Sequence, residues 1–275
     1  MKAPIRERAI RLSFAGRLPI PAYDELAQHL ETALAAKCAV ANLQVSHRAQ
    51  PVILQMPQGC ENGDMPDWSK MRIGVERCRR IAVREHEYVQ LFRDSIMFNL
   101  TEGSDGVAGG FGRLVSFYRE IMDAVAAPLD LRHRVNGASV HYFNHFDDED
   151  LMPFRTEDRI GLCLSQILNI MPIGALPESI KACPPTFQTT NFQVNGELPM
   201  HLTVDTRIPT CTAGKFAVDF NLTGQVARIM LTRENEWGVK NELAHLHEYI
   251  YSLFCSLLTE KARREIDYVK CEGKA

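Results

Sequence analysis

No C-x-x-C pair occurs in this chain. Its eight cysteines, Cys38, Cys60, Cys78, Cys163, Cys183, Cys211, Cys255 and Cys271, are scattered. That spacing does not support a zinc ribbon or a thioredoxin-like motif, and in a reducing compartment it leaves free thiols. Long apolar runs are missing too, and those present are far too short to span a bilayer. The opening octapeptide, Met1 to Arg8, has no apolar stretch of the signal-peptide kind, so a cytoplasmic location is the expectation. Charge of one sign is also lacking. Lys and Arg number 31 against 34 Asp and Glu, a net −3, so no whole-molecule field attracts nucleic acid, although a local patch still can. No G-x-S-x-G, H-E-x-x-H or complete phosphate-loop pattern is present, which lowers the case for an enzyme. No cofactor is implied.

What is present is an ordinary globular balance, 45% apolar and 24% charged over 275 residues, enough chain for a sizeable core. Ala9 to Ala15 alternates as a strand. Pro21 then suits the first turn of a helix whose apolar stripe is Leu26, Leu30, Ala33 and Leu34. From His47 to Asp94, short strand-like runs (Pro51–Met56, Lys70–Val75, Arg80–Glu85, Tyr88–Phe92) follow one another with turns, which favours an antiparallel meander. Ser95–Thr101 continues it. Gly103 to Gly112 reads as a loop. Leu114, Phe117, Tyr118, Ile121 and Val125 then line one side of a helix ending before Pro128. Arg134–Phe146 is the longest strand pattern, with Val140, Tyr142, Asn144 and Phe146 on one face and His141, Phe143 and His145 on the other. Ile160–Ile170 reads as a short helix. Strands follow at Thr186–Val194, Met200–Ile208 and Lys215–Thr223. A last helix runs over Asn241–Glu265, with Leu243, Leu246, Ile250, Phe254 and Leu257 on its core face.

The tetrapeptide Phe-Asn-Leu-Thr occurs at 98–101 and again at 220–223. Each copy ends a strand and precedes a polar loop and an amphipathic helix. Phe and Leu share one strand face, and Asn and Thr the other. The expectation is an α+β fold: antiparallel sheet with helices packed on it, in two related strand-plus-helix halves, 1–171 and 172–275, within one compact domain.

The Ala3-Pro4 start, the run Ile96-Met97-Phe98-Asn99-Leu100, the Tyr-x-Asn strand Val140–Asp147 carrying Tyr142 and Asn144, the run Ala217-Val218-Asp219-Phe220 and the terminal helix ending Leu258-Thr259-Glu260-Lys261-Ala262-Arg263 occur in an order that resembles a sporadically distributed, largely uncharacterised bacterial protein family. In that family Arg usually stands where this chain has His141 and His145. The resemblance covers nearly the whole chain and implies no reaction. Its patchy distribution implies a bacterial accessory role in defence against phage or other mobile DNA.

Four sets of residues are candidates for chemistry. Lys70, Arg72, Arg77, Arg79, Arg80 and Arg84 form a basic segment that could meet phosphates if they shared one face, with Tyr88 or Trp68 to stack. The alternative is the wet face of an antiparallel sheet. His141 and His145 lie about 13 Å apart along a strand, too far to ligate one metal without a neighbour such as His201 or Asp205. The plainer expectation is two polar histidines on a partly exposed face, and no metal site. The run Asp147–Asp150 reads as a strand-ending turn. Asp219, if inward, needs Arg207 or a histidine as partner, and it would carry the catalysis of a metal-dependent nuclease. Otherwise it points outward, opposite Val218 and Phe220. The leading expectation is a non-catalytic binding, sensing or accessory protein that associates with another protein or with itself. Nucleic-acid binding, a nuclease and a small-ligand carrier gripping the last helix are the alternatives.

Overall fold

Antiparallel pairing joins nine strands into one sheet in the order β2-β3-β4-β5-β1-β6-β9-β8-β7 in the computed structural model, which describes residues 5–38, 44–55, 72–101, 110–154, 167, 187–195, 198–207 and 217–265. The strands are β1 (Ile5–Phe14), β2 (Gln44–Gln55), β3 (Arg72–Arg84), β4 (Glu87–Leu91), β5 (Ser95–Thr101), β6 (Val135–Phe146), β7 (Phe187–Val194), β8 (Met200–Arg207) and β9 (Val218–Val226). The helices are α1 (Ile20–Cys38), α2 (Gly110–Val125), the short α3 (Leu131–Arg134) and α4 (Asp148–Leu151), α5 (Ala244–Leu257) and α6 (Glu260–Glu265). The protein is thus an α+β protein with helices packed on an antiparallel sheet. Among the described residues, no helix is long and apolar enough to cross a membrane.

Period-two alternation decides which sheet face is covered. Ile10, Leu12, Ile81, Val89, Ile96, Phe98, Val140, Phe146, Val204, Phe220 and Leu222 are all buried on the side carrying α1, α2 and α5. The five predicted α2 residues are buried as their spacing requires, and Phe98 meets Tyr118 edge to face at 5.0 Å. Where α5 crosses β9 the contact is made through Gly224. A Cβ there would lie 2.7 Å from Ile250 Cδ1 and 3.1 Å from Leu246 Cδ2, so the bare strand lets the helix sit directly on the sheet.

The two Phe-Asn-Leu-Thr copies mark a pseudo-two-fold axis. Phe98 and Leu100 stand opposite Ile10 and Arg8 on β1, and Phe220 and Leu222 stand opposite Asn144 and Tyr142 on β6. Arg8 therefore corresponds to Tyr142, and these two face each other across the β1–β6 ladder. The axis runs through that pair. β6 opens the second strand array as β1 opens the first, so the arrays meet at Arg134–Val135 in the chain, upstream of the 171/172 boundary read from the sequence.

Several boundaries differ from expectation. β1 starts earlier, at Ile5, because Ile5, Glu7 and Arg8 pair with β6, with a register shift at Arg6. The two runs read at 70–75 and 80–85 form parts of one strand, Arg72–Arg84, paired along its length with β2. The last helix is divided. A π-turn at Val239–Leu243 leads into α5, and Leu258 is extended before α6. The glycine-rich segment 103–109 and the runs at 160–166 and 168–170 lie outside the described residues.

Candidate functional site

The strands' other faces carry polar side chains, and no described helix packs there. The centre of this helix-free face is a set of mutual hydrogen bonds. Ser139 Oγ lies 2.8 Å from His141 Nε2, and Thr223 Oγ1 lies 3.0 Å from His141 Nδ1. One hydroxyl must donate and the other accept if the imidazole is neutral. Desolvation pushes the His141 pKa down to about 3, and the Arg11 guanidinium adds to the shift. Arg11 in turn reaches Ser95 Oγ at 2.8 Å and Asp94 Oδ1 at 3.0 Å. The Asn99 amide donates to Glu7 Oε1. Both Asn and Thr of each repeated tetrapeptide point onto this face, as Asn99, Thr101, Asn221 and Thr223.

Toward one end the face opens into a hollow of about 470 Å³ lined by residues that include Glu7, Thr101, Phe143, His145, Asp219 and Asn221. His145 Nδ1 and Asp219 Oδ1 are 2.7 Å apart and both side chains are 37% exposed. Asp219 lies opposite Val218 and Phe220 on the strand, and its partner is a histidine. Arg6, also on the rim, reaches Asp147 at 3.5 Å and Asp150 at 3.9 Å. Asp147 caps the short α4, accepting from the backbone of Glu149 and Asp150, so the acidic run does end the strand in a turn. Burial raises the Asp150 pKa, its largest cause.

The two signature residues lie on the helix side, near the pseudo-two-fold axis. The Tyr142 hydroxyl lies 2.6 Å from His247 Nδ1 of α5, and Phe111 of α2 stacks on the same imidazole at 4.0 Å. Burial pushes the His247 pKa down to about 4 and raises that of Tyr142. Asn144 donates to the Phe220 carbonyl at 2.7 Å. Its Oδ1 is buried with no partner among the described residues. Sequence reasoning missed Glu7, Asn99 and His247 here. Their signals were a carboxylate inside an alternating strand, the polar half of the repeat, and a histidine on the inner face of an amphipathic helix.

The basic segment is spread over both sheet faces. Arg79 pairs with Glu31 of α1 at 3.1 Å on the helix side. Arg80 points the other way, with its guanidinium 3.7 Å from the Tyr88 ring centroid. Arg84 pairs with Glu87 at 2.7 Å and with Glu120. Arg72 and Arg77 lie on the same strand, and Lys70 lies outside the described residues. Among the described residues, no three His, Cys, Asp or Glu side chains are grouped to hold a metal. His141 meets Ser139 and Thr223, whereas His145 meets Asp219.

The class defined so far is an α+β protein with one continuous nine-stranded antiparallel sheet, helices on one face and a polar hollow on the other. No protein-family model matches the chain, and no curated protein sequence does. Among solved structures, the chain is similar to the di-domain ARO/CYC StfQ from the steffimycin biosynthetic pathway, at 11% identity over 94% of this chain and 96% of that one, TM-score 0.20. It is also similar to the S. pombe Pct1 RNA triphosphatase solved in complex with the Spt5 CTD, at 10% identity over 92% of this chain and 84% of that one, TM-score 0.16. Likeness at these TM-scores carries no argument about fold or function.

Proposed function

We propose that the protein is a non-catalytic binding protein, a sensing or accessory component that meets its partner protein through the hollow of the helix-free face. The observation that carries this reading is the division of that face into two zones. Around His141 the polar groups are desolvated and tied to one another, a rigid base for a surface rather than a reactive centre. A histidine with a pKa near 3 is a poor general base at neutral pH, and Ser139 beside it is correspondingly a weak nucleophile. Around Phe143 and Asp219 the groups are accessible and keep unused hydrogen-bonding capacity, which suits recognition. The bacterial defence setting rests on the family resemblance.

The alternatives find less support. Arg79 and Arg84 have acidic partners, which leaves Arg80 over Tyr88 as the described basic group best placed to stack against a base. A nuclease built on Asp219 would need further ligands than His145. A carrier would need a cavity under α5, where Gly224 instead allows direct contact. The proposal is tested by affinity capture from the native bacterial host with wild type, Phe143→Ala and Arg80→Glu. A specific partner held by wild type and Arg80→Glu, and lost with Phe143→Ala, is the expected result. Loss with Arg80→Glu alone would move the site to the basic strand.

A further inference from the structure

We propose that the protein forms a symmetric dimer through the outer edge of β7, which pairs antiparallel with β7 of a second copy. The pseudo-two-fold axis supplies the first observation. β5 and β9 correspond through the repeated tetrapeptide, so β4 corresponds to β8 and β3 to β7 in the strand order. The outer edge of β3 is paired with β2. The outer edge of β7 carries no strand among the described residues. The first array thus displays what such an edge accepts, an antiparallel strand. Backbone donors and acceptors along an unpaired edge are a template for exactly that addition.

The chemistry of β7 fits a copy of itself. Phe187–Val194 reads Phe-Gln-Thr-Thr-Asn-Phe-Gln-Val, with no charged residue and no proline. Antiparallel self-pairing therefore brings no like charges together and loses no backbone donor. The opposite edge of the sheet differs. β2 carries Arg48 and Pro51 within its length, and a charge and a proline both blunt an edge. Pairing β7 with β2 of the next copy would also leave an open chain of molecules, whereas β7 on β7 closes.

The side chains leave the β7 edge clear. Thr189, Asn191, Phe192 and Gln193 are exposed. On the helix-free face Thr189 donates to Asp205 Oδ1 at 2.6 Å, and Asn191 Oδ1 accepts from Thr203 at 2.9 Å, so both side chains are held back toward β8. On the helix side Phe192 stands 38% exposed, opposite the buried Leu202. Opposed residues of a continuous antiparallel sheet share a face, so a two-fold axis must pass through a residue position and not between two. Centred on Asn191, it pairs 188–194 with its copy. Each Phe192 then lies against Thr190 of the second copy, an aromatic and β-branched pair. The helices of both copies fall on one side of the joined sheet, and both hollows open on the other.

The test is sedimentation velocity of the full-length protein across a dilution series, for wild type, Phe192→Lys, Gln193→Lys and Val45→Lys. Wild type is expected to show a reversible dimer. Phe192→Lys and Gln193→Lys each set a charge beside the axis and should weaken it at least tenfold, about 1.4 kcal/mol. Val45→Lys, at an exposed position of β2, should leave it unchanged. Thermal melts establish that each variant is folded. Hydrogen exchange of wild type above and below the dimerisation midpoint then reads the surface used: amides of 189–194 should gain protection in the dimer, and those of 44–55 should not. A dimer that survives both β7 substitutions, or protection gained in β2 instead, would overturn the proposal. So would a wild type that stays monomeric throughout; if its β7 amides then gain protection only with the captured partner, the edge belongs to a foreign strand.

Discussion

His141 and His247, half-buried on opposite sides of the sheet, are held neutral by desolvation, and the consequence is measurable in the pH dependence of stability. Desolvation lowers their pKa values in the native protein to about 3 and about 4, whereas in the unfolded chain histidine titrates near 6.5. The unfolded state therefore binds more protons between these limits, so acid favours unfolding. Stability should be fully present above about pH 6.5 and fall as pH drops toward about 4 for His247, and on toward about 3 for His141. A His247→Gln variant should lose less melting temperature than wild type between pH 7 and pH 5. An equal loss would show that His247 does not take part. The Tyr142 hydroxyl gives a companion prediction. Tyr142→Phe strands His247 Nδ1 beneath the helices and should cost about 1–3 kcal/mol in denaturant unfolding; no change would mean that water satisfies the ring.

At the scale of elements, two positions set how the helices sit. Gly224→Ala places a methyl 2.7 Å from Ile250 Cδ1, an overpacking that should cost about 1–3 kcal/mol. Ile250→Val in the same chain should recover part of that cost, a coupling a double-mutant cycle reads directly. Gly238 has φ 90° and a Cβ there would meet Ile229 Cδ1 at 2.5 Å. Gly238→Ala should therefore be more damaging, since both backbone and packing oppose it. Its neighbour Trp237 locks this corner to α2, accepting from Tyr118 at 2.7 Å and donating to Asp123 at 3.1 Å. The helix faces were legible in the sequence because 3.6-residue spacing survives any tertiary context, and α2 and α5 bury the residues that spacing predicted. The alternation of β6 was legible for the same kind of reason. Strand order was not, since β1 pairs with β5 and β6 rather than with its neighbour β2 in the chain, and no local pattern encodes that. The hollow was hidden for this reason: Glu7, Phe143 and Asp219 come from three strands far apart in sequence. The basic segment was visible as composition, but period two sends Arg79 and Arg80 to opposite faces.

At the scale of the whole molecule, the pseudo-two-fold axis places two strand arrays back to back across the β1–β6 ladder, and the hollow is built at their junction, from β1 and β5 of one array and β6 and β9 of the other. Neither array alone would form it. The repeated Phe-Asn-Leu-Thr serves both sides of the sheet at once: its Phe and Leu enter the core in each array, and its Asn and Thr line the helix-free face. The central claim is that this face, and not the helix layer, meets the partner. The measurement that tests it most directly is photo-crosslinking of the captured complex with a benzophenone amino acid at Phe143 or at Tyr249, which is 43% exposed on α5. A partner adduct from position 143 and none from position 249 is the predicted result. An adduct from position 249 with none from position 143 would contradict it.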